Sequence, residues 1–337
     1  KKGAVPGACF GAAPAPARAL APGLGLAVAR RGIFRADDQE DFGRVADRVA
    51  AGNIALLGDV TGADARQEEG FLRNAIACGA LLTAGRHLVR GDASQPGQPM
   101  EFFVNCATAA TSFTCFYLLL CGVGVGRAYD DALCLVDWRR APRLFFTLAP
   151  DHADFTAASS AQRAALSEPA PENAQRFVIP DSREGWAEAL EILEAMAHAG
   201  QADQALVLDF SAIRPSGQPI RGLGGRPAPG PLPLLDAFFT LRAGVIAAPD
   251  AMPRWEQALH VDDIMAQAVI YGGLRRAARM AAKTWRDADA PRLAAGLDLP
   301  GHAGAAYALL VDADFWARLS PRAKADDLAT LHARAVF

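Results

Sequence analysis

The chain has 337 residues, of which 51% are hydrophobic, and a formal net charge of -3 from 34 basic and 37 acidic side chains. That size and composition are typical of a globular protein with about two or three folding units. The two signs of charge are interspersed without long runs of Lys or Arg. This pattern disfavours a nucleic-acid-coating surface, because such binding depends on clustered cations.

The six cysteines include no CxxC pair. They are too few for a secreted disulfide scaffold, and the histidine spacing indicates no zinc site, so a reducing cytoplasm is the simplest compartment. The longest apolar stretch, residues 113–125, is interrupted by Thr114, Cys121 and glycines. It is shorter than the roughly 20 residues that a bilayer requires. We therefore expect a core segment and no membrane association.

The first part of the chain changes in character twice. Most of residues 3–25 are Ala, Pro or Gly, which predicts a mobile arm over residues 1–25. Residues 26–98 are predicted to form a helical region, because apolar residues recur at spacings of three and four within 42–51 and 68–83.

From residue 99 the hydrophobic period alternates between strand and helix. The sequence predicts a buried strand at 101–107, a helix at 111–121, a glycine turn at 122–126 and a further strand at 133–138.

Beyond these elements, Asp181 is predicted to cap a helix that ends at Gly200. A buried strand is expected at 205–210 and a Gly/Pro-dense loop at 214–233. The remaining pattern predicts helices at 234–241 and 261–271 and a strand at 277–285. Such alternation is typical of a parallel sheet with crossover helices, so residues 99–337 are predicted to be α/β.

Three segments carry most of the chemical information. They read GRHLVRGDASQPGQPMEFFVNCATAATSF followed by GVGVGRAYDD (85–113 and 122–131), DFSAIRPSGQPIRGLGGRPAPGP (209–231) and YGGLRRAARMAAKTWRD (271–287). Two shorter segments, IPDSREGW (179–186) and VDADFW (311–316), accompany them. In this order and spacing the five segments resemble the N-terminal part of the catalytic subunit of adenosylcobalamin (vitamin B12)-dependent, class II ribonucleotide reductases.

The resemblance implies that residues 99–337 form the first half of a ten-stranded α/β barrel. It also implies a radical reduction of ribonucleotides to deoxyribonucleotides with adenosylcobalamin as cofactor, a deoxynucleotide effector and a thioredoxin-like reductant, and it leans towards a diphosphate substrate. A homodimer stays open, and the resemblance identifies no cobalamin-binding residue. Because half a barrel exposes strand edges, association with a partner is expected.

Cys106 is the predicted redox residue. Two thiols that close to a disulfide supply the electrons and protons that reduction of the ribose 2′ carbon requires, and the resemblance makes Cys106 one of that pair. Its place after an apolar run predicts a buried strand that faces the barrel interior. The alternative is a small core residue, which is the commonest fate of a buried cysteine.

Polar residues beside Cys106 are predicted to bind the substrate. They are Asn105, Thr108, Thr111 and Ser112, and the hydroxyls lie near the start of a helix, where amides and hydroxyls favour phosphate. For each hydroxyl the alternative is helix capping.

Two segments, 217–225 and 272–276, are rich in Gly and Arg. Their glycines allow a ligand to come close to the backbone, and their arginines can form charge-assisted hydrogen bonds with its phosphates. The resemblance assigns effector or loop roles there to Arg221, Gly224, Gly225, Gly272, Gly273, Arg275 and Arg276. The alternative is a sharp turn whose arginines pair with surface carboxylates. We expect the other cysteines to be packing residues and His87 to be structural.

The sequence also departs from the family pattern. It has no Asn-Pro-Cys-x-Glu segment, so we expect an incomplete portion that cannot form the thiyl radical by itself. Pro229 stands where the family has Ser, and residues 305–308 are Ala-Ala-Tyr-Ala where it has an Asn-Asn-Ser type of sequence. These departures leave open a second hypothesis, a non-catalytic nucleotide-binding protein with the same fold.

Overall fold

The computed structural model describes residues 23–35, 40–58, 62–220, 226–248, 252–271, 274–275, 278–294 and 305–318. The chain divides into two compact units, residues 1–105 with 221–225 and residues 106–220 with 226–337. The proposed arm and the domain boundary at residue 99 stay predictions. No helix within the described ranges is long and apolar enough to cross a membrane.

The described part of the first unit is helical. Its elements are α1 (Leu24–Gly32), α2 (Phe42–Ala55), α3 (Ala63–Ala77) and α4 (Gly85–Arg90), followed by single 3₁₀ turns at Gln95–Gly97 and Met100–Phe102. The buried face of α2 packs against Ile76 of α3 and Leu88 of α4. Both helices predicted from 42–51 and 68–83 are therefore present, with shifted ends.

Two arginines of helix α4 contact the segment 101–107, which was predicted to be a strand. Arg86 Nη1 donates to the Val104 carbonyl at 2.5 Å, and the Arg90 guanidinium lies 4.0 Å from the centroid of the Phe102 ring. Residues 100–102 form a 3₁₀ turn, and the contacts with α4 engage Phe102 and Val104. The predicted strand at 101–107 is therefore wrong for most of its length.

The second unit contains two parallel sheets. The first has strand order β1 (Cys106–Thr108), β2 (Gly124–Ala128), β10 (Ala278–Thr284) and β11 (Ala305–Leu310). The second has strand order β3 (Arg143–Thr147), β5 (Ala205–Asp209) and β4 (Gln175–Val178). Two short antiparallel pairs, β6 (Pro219–Ile220) with β7 (Arg226–Pro227) and β8 (Ile270–Tyr271) with β9 (Leu274–Arg275), complete the strands.

Helices alternate with the strands of the second unit, and α11 follows the last described strand. They are α5 (Ser112–Leu120), α6 (Ser160–Leu166), α7 (Arg183–Ala199), α8 (Leu232–Leu241), α9 (Arg254–Gln267), α10 (Ala290–Ala294) and α11 (Ala313–Arg318). Parallel strands joined through helices are what the alternating pattern predicted.

Two predicted elements near β2 are wrong. The glycine turn at 122–126 is largely strand β2, which pairs with β1 on one side and β10 on the other. The strand at 133–138 does not form, because the backbone amide of Trp138 donates to the side chain of Gln257 at 2.7 Å instead of to a neighbouring strand.

The helix starts also differ from the predictions. Helix α7 is capped by Ser182, whose hydroxyl accepts from the Gly185 amide at 2.9 Å, whereas Asp181 pairs with Arg214 at 2.6 Å. Gly200 ends the helix in the left-handed region with φ 73°, as predicted. Helix α9 begins at Arg254, before the predicted start at 261. The prediction missed its first turns because buried carboxylates interrupt the apolar pattern of the helix.

Candidate functional site

The four-stranded sheet has one face that helices cover and one face that the described residues leave accessible. Cys106 lies level with Gly124 and Ala278, and Thr108 lies level with Gly126 and Met280. Residues at one level of neighbouring strands project to the same side of a sheet. Cys106, Thr108 and Met280 are exposed. We call this side the open face.

The opposite side is the covered face, formed by Arg127, Tyr129, Arg279, Ala281 and Lys283. Ala281 and Tyr129 pack there with Trp255, Ala258 and Leu259 of α9. The alternation of the two sets along β2 and β10 is the pattern that a half-covered strand requires.

Cys106 carries a free thiol on the open face. The expectation of a buried strand is wrong here, because β1 has three residues, lies at one edge of the described sheet and exposes both Cys106 and Thr108. Because the side chain is exposed, the alternative of a small core residue does not fit either.

The predicted substrate residues fall into two groups. Asn105, in the first unit, and Thr108 are exposed, and Thr111 is half-buried with its hydroxyl 2.8 Å from that of Thr114. Ser112, in contrast, is 1% exposed, and its hydroxyl accepts from Arg127 Nη1 at 2.8 Å. The proposed phosphate contact of Ser112 is therefore corrected to a structural role, because the hydroxyl is buried and bound.

Glu194 of α7 binds the amides at the start of α5. Its carboxylate oxygens accept from Ser112 N at 3.0 Å and from Phe113 N at 2.9 Å. Burial raises the pKa of Glu194, against the lowering effect of these two amides. Glu194 lies outside the motifs found in the sequence, where the signal for it is a carboxylate four positions after Leu190 on the apolar stripe of α7.

A charged network fills the covered face. Arg127 pairs with Asp262 of α9 at 2.8 Å, and the Tyr129 hydroxyl donates to the same carboxylate at 2.5 Å. Arg279 pairs with Asp263 at 2.9 Å. Burial raises the pKa of Tyr129 well above its ordinary value, so the phenol is a hydrogen-bond donor throughout the neutral range. The network ties β2 and β10 to α9.

Lys283 is the most buried cation of this face, with 0% exposure. Its ammonium lies 2.8 Å from Asp131, 2.7 Å from Asp287 and 3.4 Å from Asp289, and 4.6 Å from the centroid of the Trp255 ring. The three carboxylates are close enough together to share a metal ion. Because the Lys283 ammonium lies within 3.4 Å of all three carboxylates and takes the place that a cation would have, we assign no metal there.

His87 is placed by packing. Its ring centroid lies 5.1 Å from that of Phe103, two residues before Asn105. This contact agrees with the structural role that the sequence suggested.

Comparisons with known proteins give a consistent result. Residues 149–244 match the family model of the B12-dependent ribonucleotide reductase insertion domain. A putative adenosylcobalamin-dependent ribonucleoside-triphosphate reductase of Mycobacterium phage D29 is 30% identical over 268 residues, which are 74% of this chain and 38% of the relative. These matches support a B12-dependent, class II ribonucleotide reductase as the family of this chain.

Two further comparisons bear on this family assignment. The adenosylcobalamin-dependent ribonucleoside-triphosphate reductase of Lactobacillus leichmannii is 33% identical over 117 residues, 34% of this chain and 16% of that protein. A crystal structure of a B12-dependent class II ribonucleotide reductase superposes with TM-score 0.69 and 21% identity over 86% of this chain and 46% of that one. The α/β fold predicted from the resemblance is thus confirmed, and the chain spans less than half of these relatives.

Within this chain, the insertion-domain match contains α6, α7 and α8. Glu194 therefore reaches from the insertion-domain region to the helix that follows Cys106.

Most predicted effector-loop residues lie outside the described residues. They are Arg221, Gly224, Gly225, Gly272, Gly273 and Arg276. Arg275 lies in β9, which pairs with β8. The nucleotide roles of these residues stay predictions.

The stem of the first loop is well defined. Asp154 accepts from the Ser216 amide at 2.8 Å, and His152 Nε2 contacts the Ile213 carbonyl at 2.8 Å. Gly230 has φ 76°, and a Cβ atom there would lie 2.5 Å from Asp154 Oδ2. Glycine is therefore required where the loop returns.

Proposed function

We propose that this chain supplies one reducing thiol and part of the nucleotide site of a class II ribonucleotide reductase. The observation that supports this most is the Cys106 thiol on the open face, with the Thr108 hydroxyl on the same strand and side. The substrate would lie on this face, with Thr111 as a further candidate contact, and the substrate role of Asn105 in the first unit stays a prediction from the sequence.

The chemistry assigned to Cys106 is one half of a dithiol reduction. The carbon at the ribose 2′ position gains two electrons and its hydroxyl leaves as water, while two thiols lose two electrons and two protons and form one disulfide. The second thiol comes from outside the motifs found in this chain. Because Cys106 is exposed, a thioredoxin-like dithiol can reach the disulfide and restore both thiols by exchange.

The cofactor and substrate follow from the relatives' names. Adenosylcobalamin would supply the radical, and we assign no cobalamin contact to the described residues. The relatives are named triphosphate reductases, so we propose a ribonucleoside triphosphate in place of the diphosphate expected from the sequence. A deoxynucleotide effector at the Gly/Arg loops and a homodimer remain part of the proposal.

A non-catalytic nucleotide-binding protein is the second candidate. It is favoured by Ala306 and Ala308 of β11, which lie level with Met280 and Ala282 and so project to the open face. No polar group is available at these two positions to contact a ribose.

Alkylation of Cys106 tests the proposal. A ribonucleoside triphosphate should slow its reaction with iodoacetamide, and Cys106→Ser should abolish that labelling without abolishing nucleotide binding. Protection of the Cys106 thiol by the nucleotide would support the proposal, and nucleotide binding that leaves this thiol unprotected would support the second candidate. Absence of both binding and protection would overturn the two candidates together.

A further inference from the structure

Glu194 is joined to the proposed site by a short piece of backbone. Its carboxylate binds the amides of Ser112 and Phe113. Only residues 109–111 separate α5 from β1, which carries Cys106 and Thr108. Whatever fixes the first turn of α5 therefore also fixes the end of the strand beside the proposed ribose position.

Glu194 also decides which groups a phosphate can use. The first amides of a helix attract anions, because they lack partners within the helix and carry the positive end of its dipole. Two of the amides at the start of α5 are taken by Glu194 on the buried side. On the open face, the hydroxyls of Thr108 and Thr111 are then the side-chain groups proposed to contact an incoming phosphate.

Glu194 places a carboxyl group in the buried part of α7. Glu194 is 5% exposed, and burial raises the pKa of its carboxyl despite the two amide bonds. A buried carboxyl group with a shifted pKa and two specific hydrogen-bond donors is a candidate functional residue. The neutral amide of Gln has nearly the same shape, but it offers one acceptor oxygen where Glu194 uses two.

We propose that Glu194 is a positioning residue for the nucleotide site on the open face. It holds the β1–α5 segment so that Thr108 and Thr111 present their hydroxyls to the substrate phosphate, and it does so from the region that matches the insertion domain. This inference rests on the proposed function.

The test compares three variants of the whole chain. Glu194→Gln leaves one side-chain oxygen, in place of two, to accept from the Ser112 and Phe113 amides. Glu191→Gln makes the same chemical change at an exposed position of α7, and Leu193→Ala destabilises the buried side of α7 without touching the α5 amides. For each protein, the dissociation constant for a ribonucleoside triphosphate is measured by calorimetry well below the melting temperature.

The expected result is a loss of affinity specific to Glu194. Glu194→Gln should bind about tenfold more weakly, as expected for one lost charge-assisted hydrogen bond. Glu191→Gln should bind like the wild type, and Leu193→Ala should melt earlier with unchanged affinity. Wild-type affinity in Glu194→Gln, or an equal loss in Leu193→Ala, would overturn the inference.

Hydrogen exchange separates this inference from the proposed function. If the wild type binds no nucleotide, the proposed function fails. The role of Glu194 is then decided by the exchange of residues 106–116, which should be faster in Glu194→Gln than in Leu193→Ala. Equal exchange in the two variants would overturn the positioning role by itself.

Discussion

Arg127 and Asp262 form a buried ion pair, with Nη1 and Oδ2 2.8 Å apart, that joins strand β2 to helix α9. Both side chains are almost completely buried, and their burial strengthens the attraction while it raises the cost of leaving either charge alone. The pair therefore fixes the covered face of the sheet whose other face carries Cys106.

Removing one partner of this pair should destabilise the protein strongly. Asp262→Asn leaves the Arg127 guanidinium buried without its counterion and takes a charged acceptor from the Tyr129 hydroxyl. We expect the free energy of unfolding to fall by about 3–5 kcal/mol, measured by urea denaturation. Asp203→Asn, an exposed position in the loop before β5, is the matched control and should change it by less than about 0.5 kcal/mol.

The double variant tests the cause. Arg127→Met with Asp262→Leu removes both charges, so no buried ion is left unpaired. It should be more stable than Asp262→Asn alone. A double variant that loses as much as the sum of the single losses would contradict the ion-pair explanation.

The stability effect of Lys283→Met should depend on pH. Burial acts to raise the pKa of Asp287, but the hydrogen bonds from the Lys283 ammonium and the Asp131 amide, together with the charge of Lys283, hold that pKa below its ordinary value of 3.8. The stability that this lowered pKa contributes is fully present above pH 3.8 and is lost as pH falls through the folded-state value.

We therefore expect Lys283→Met to be destabilised at neutral pH, with a difference from the wild type that shrinks as pH falls below 3.8. Urea denaturation at a series of pH values measures this difference. A difference that stays constant through the acidic range would show that Lys283 acts through packing on Trp255 alone.

The sequence predicted the fold better than it predicted the site. The α/β class, the strand 205–210 and the end of α7 at Gly200 followed from hydrophobic period and glycine placement, which are local signals. The glycines of 122–126 led to a wrong prediction of a turn, because this stretch forms a strand only through the pairing of β2 with β1 and β10.

The site could be predicted only in part, because its polar residues meet through tertiary contacts. Cys106 and Thr108 were found from a motif, but their exposure depends on the position of β1 at the sheet edge. Glu194 and Ser112 are 82 residues apart in the chain, and no local pattern connects them. The same holds for Arg127 with Asp262.

Glu194 should give stability the opposite pH dependence to Asp287. Burial raises its pKa in the folded state above the ordinary value of 4.5, so the stability it contributes is fully present below pH 4.5 and is lost as pH rises through the folded-state pKa. Glu194→Gln cannot titrate. The stability of the wild type relative to this variant should therefore decrease over that interval.

Thermal or urea denaturation from acidic to neutral pH measures this trend, with Glu191→Gln as the exposed control. The control should follow the wild type at every pH. A wild type that gains stability relative to Glu194→Gln on raising the pH would show that the two amides outweigh burial.

Gly230 should tolerate no side chain. Its φ of 76° disfavours other residues, and a Cβ atom would lie 2.5 Å from Asp154 Oδ2 and 2.9 Å from the Ser216 amide nitrogen. Because the Ser216 amide is backbone and is bound to Asp154, the contact cannot be relieved by a side-chain rotation alone. Gly230→Ala should thus lower the free energy of unfolding by about 1–3 kcal/mol.

Gly217→Ala separates conformational strain from the steric contact. Gly217 also has a positive φ, 86°, but a Cβ atom there would meet nothing within 4 Å. Both variants lose the freedom of glycine, whereas only Gly230→Ala also displaces Asp154 from Ser216 and so loosens the stem of the loop proposed to bind the effector. Urea denaturation should therefore show a larger loss for Gly230→Ala than for Gly217→Ala, and equal losses would mean that φ strain accounts for the whole effect.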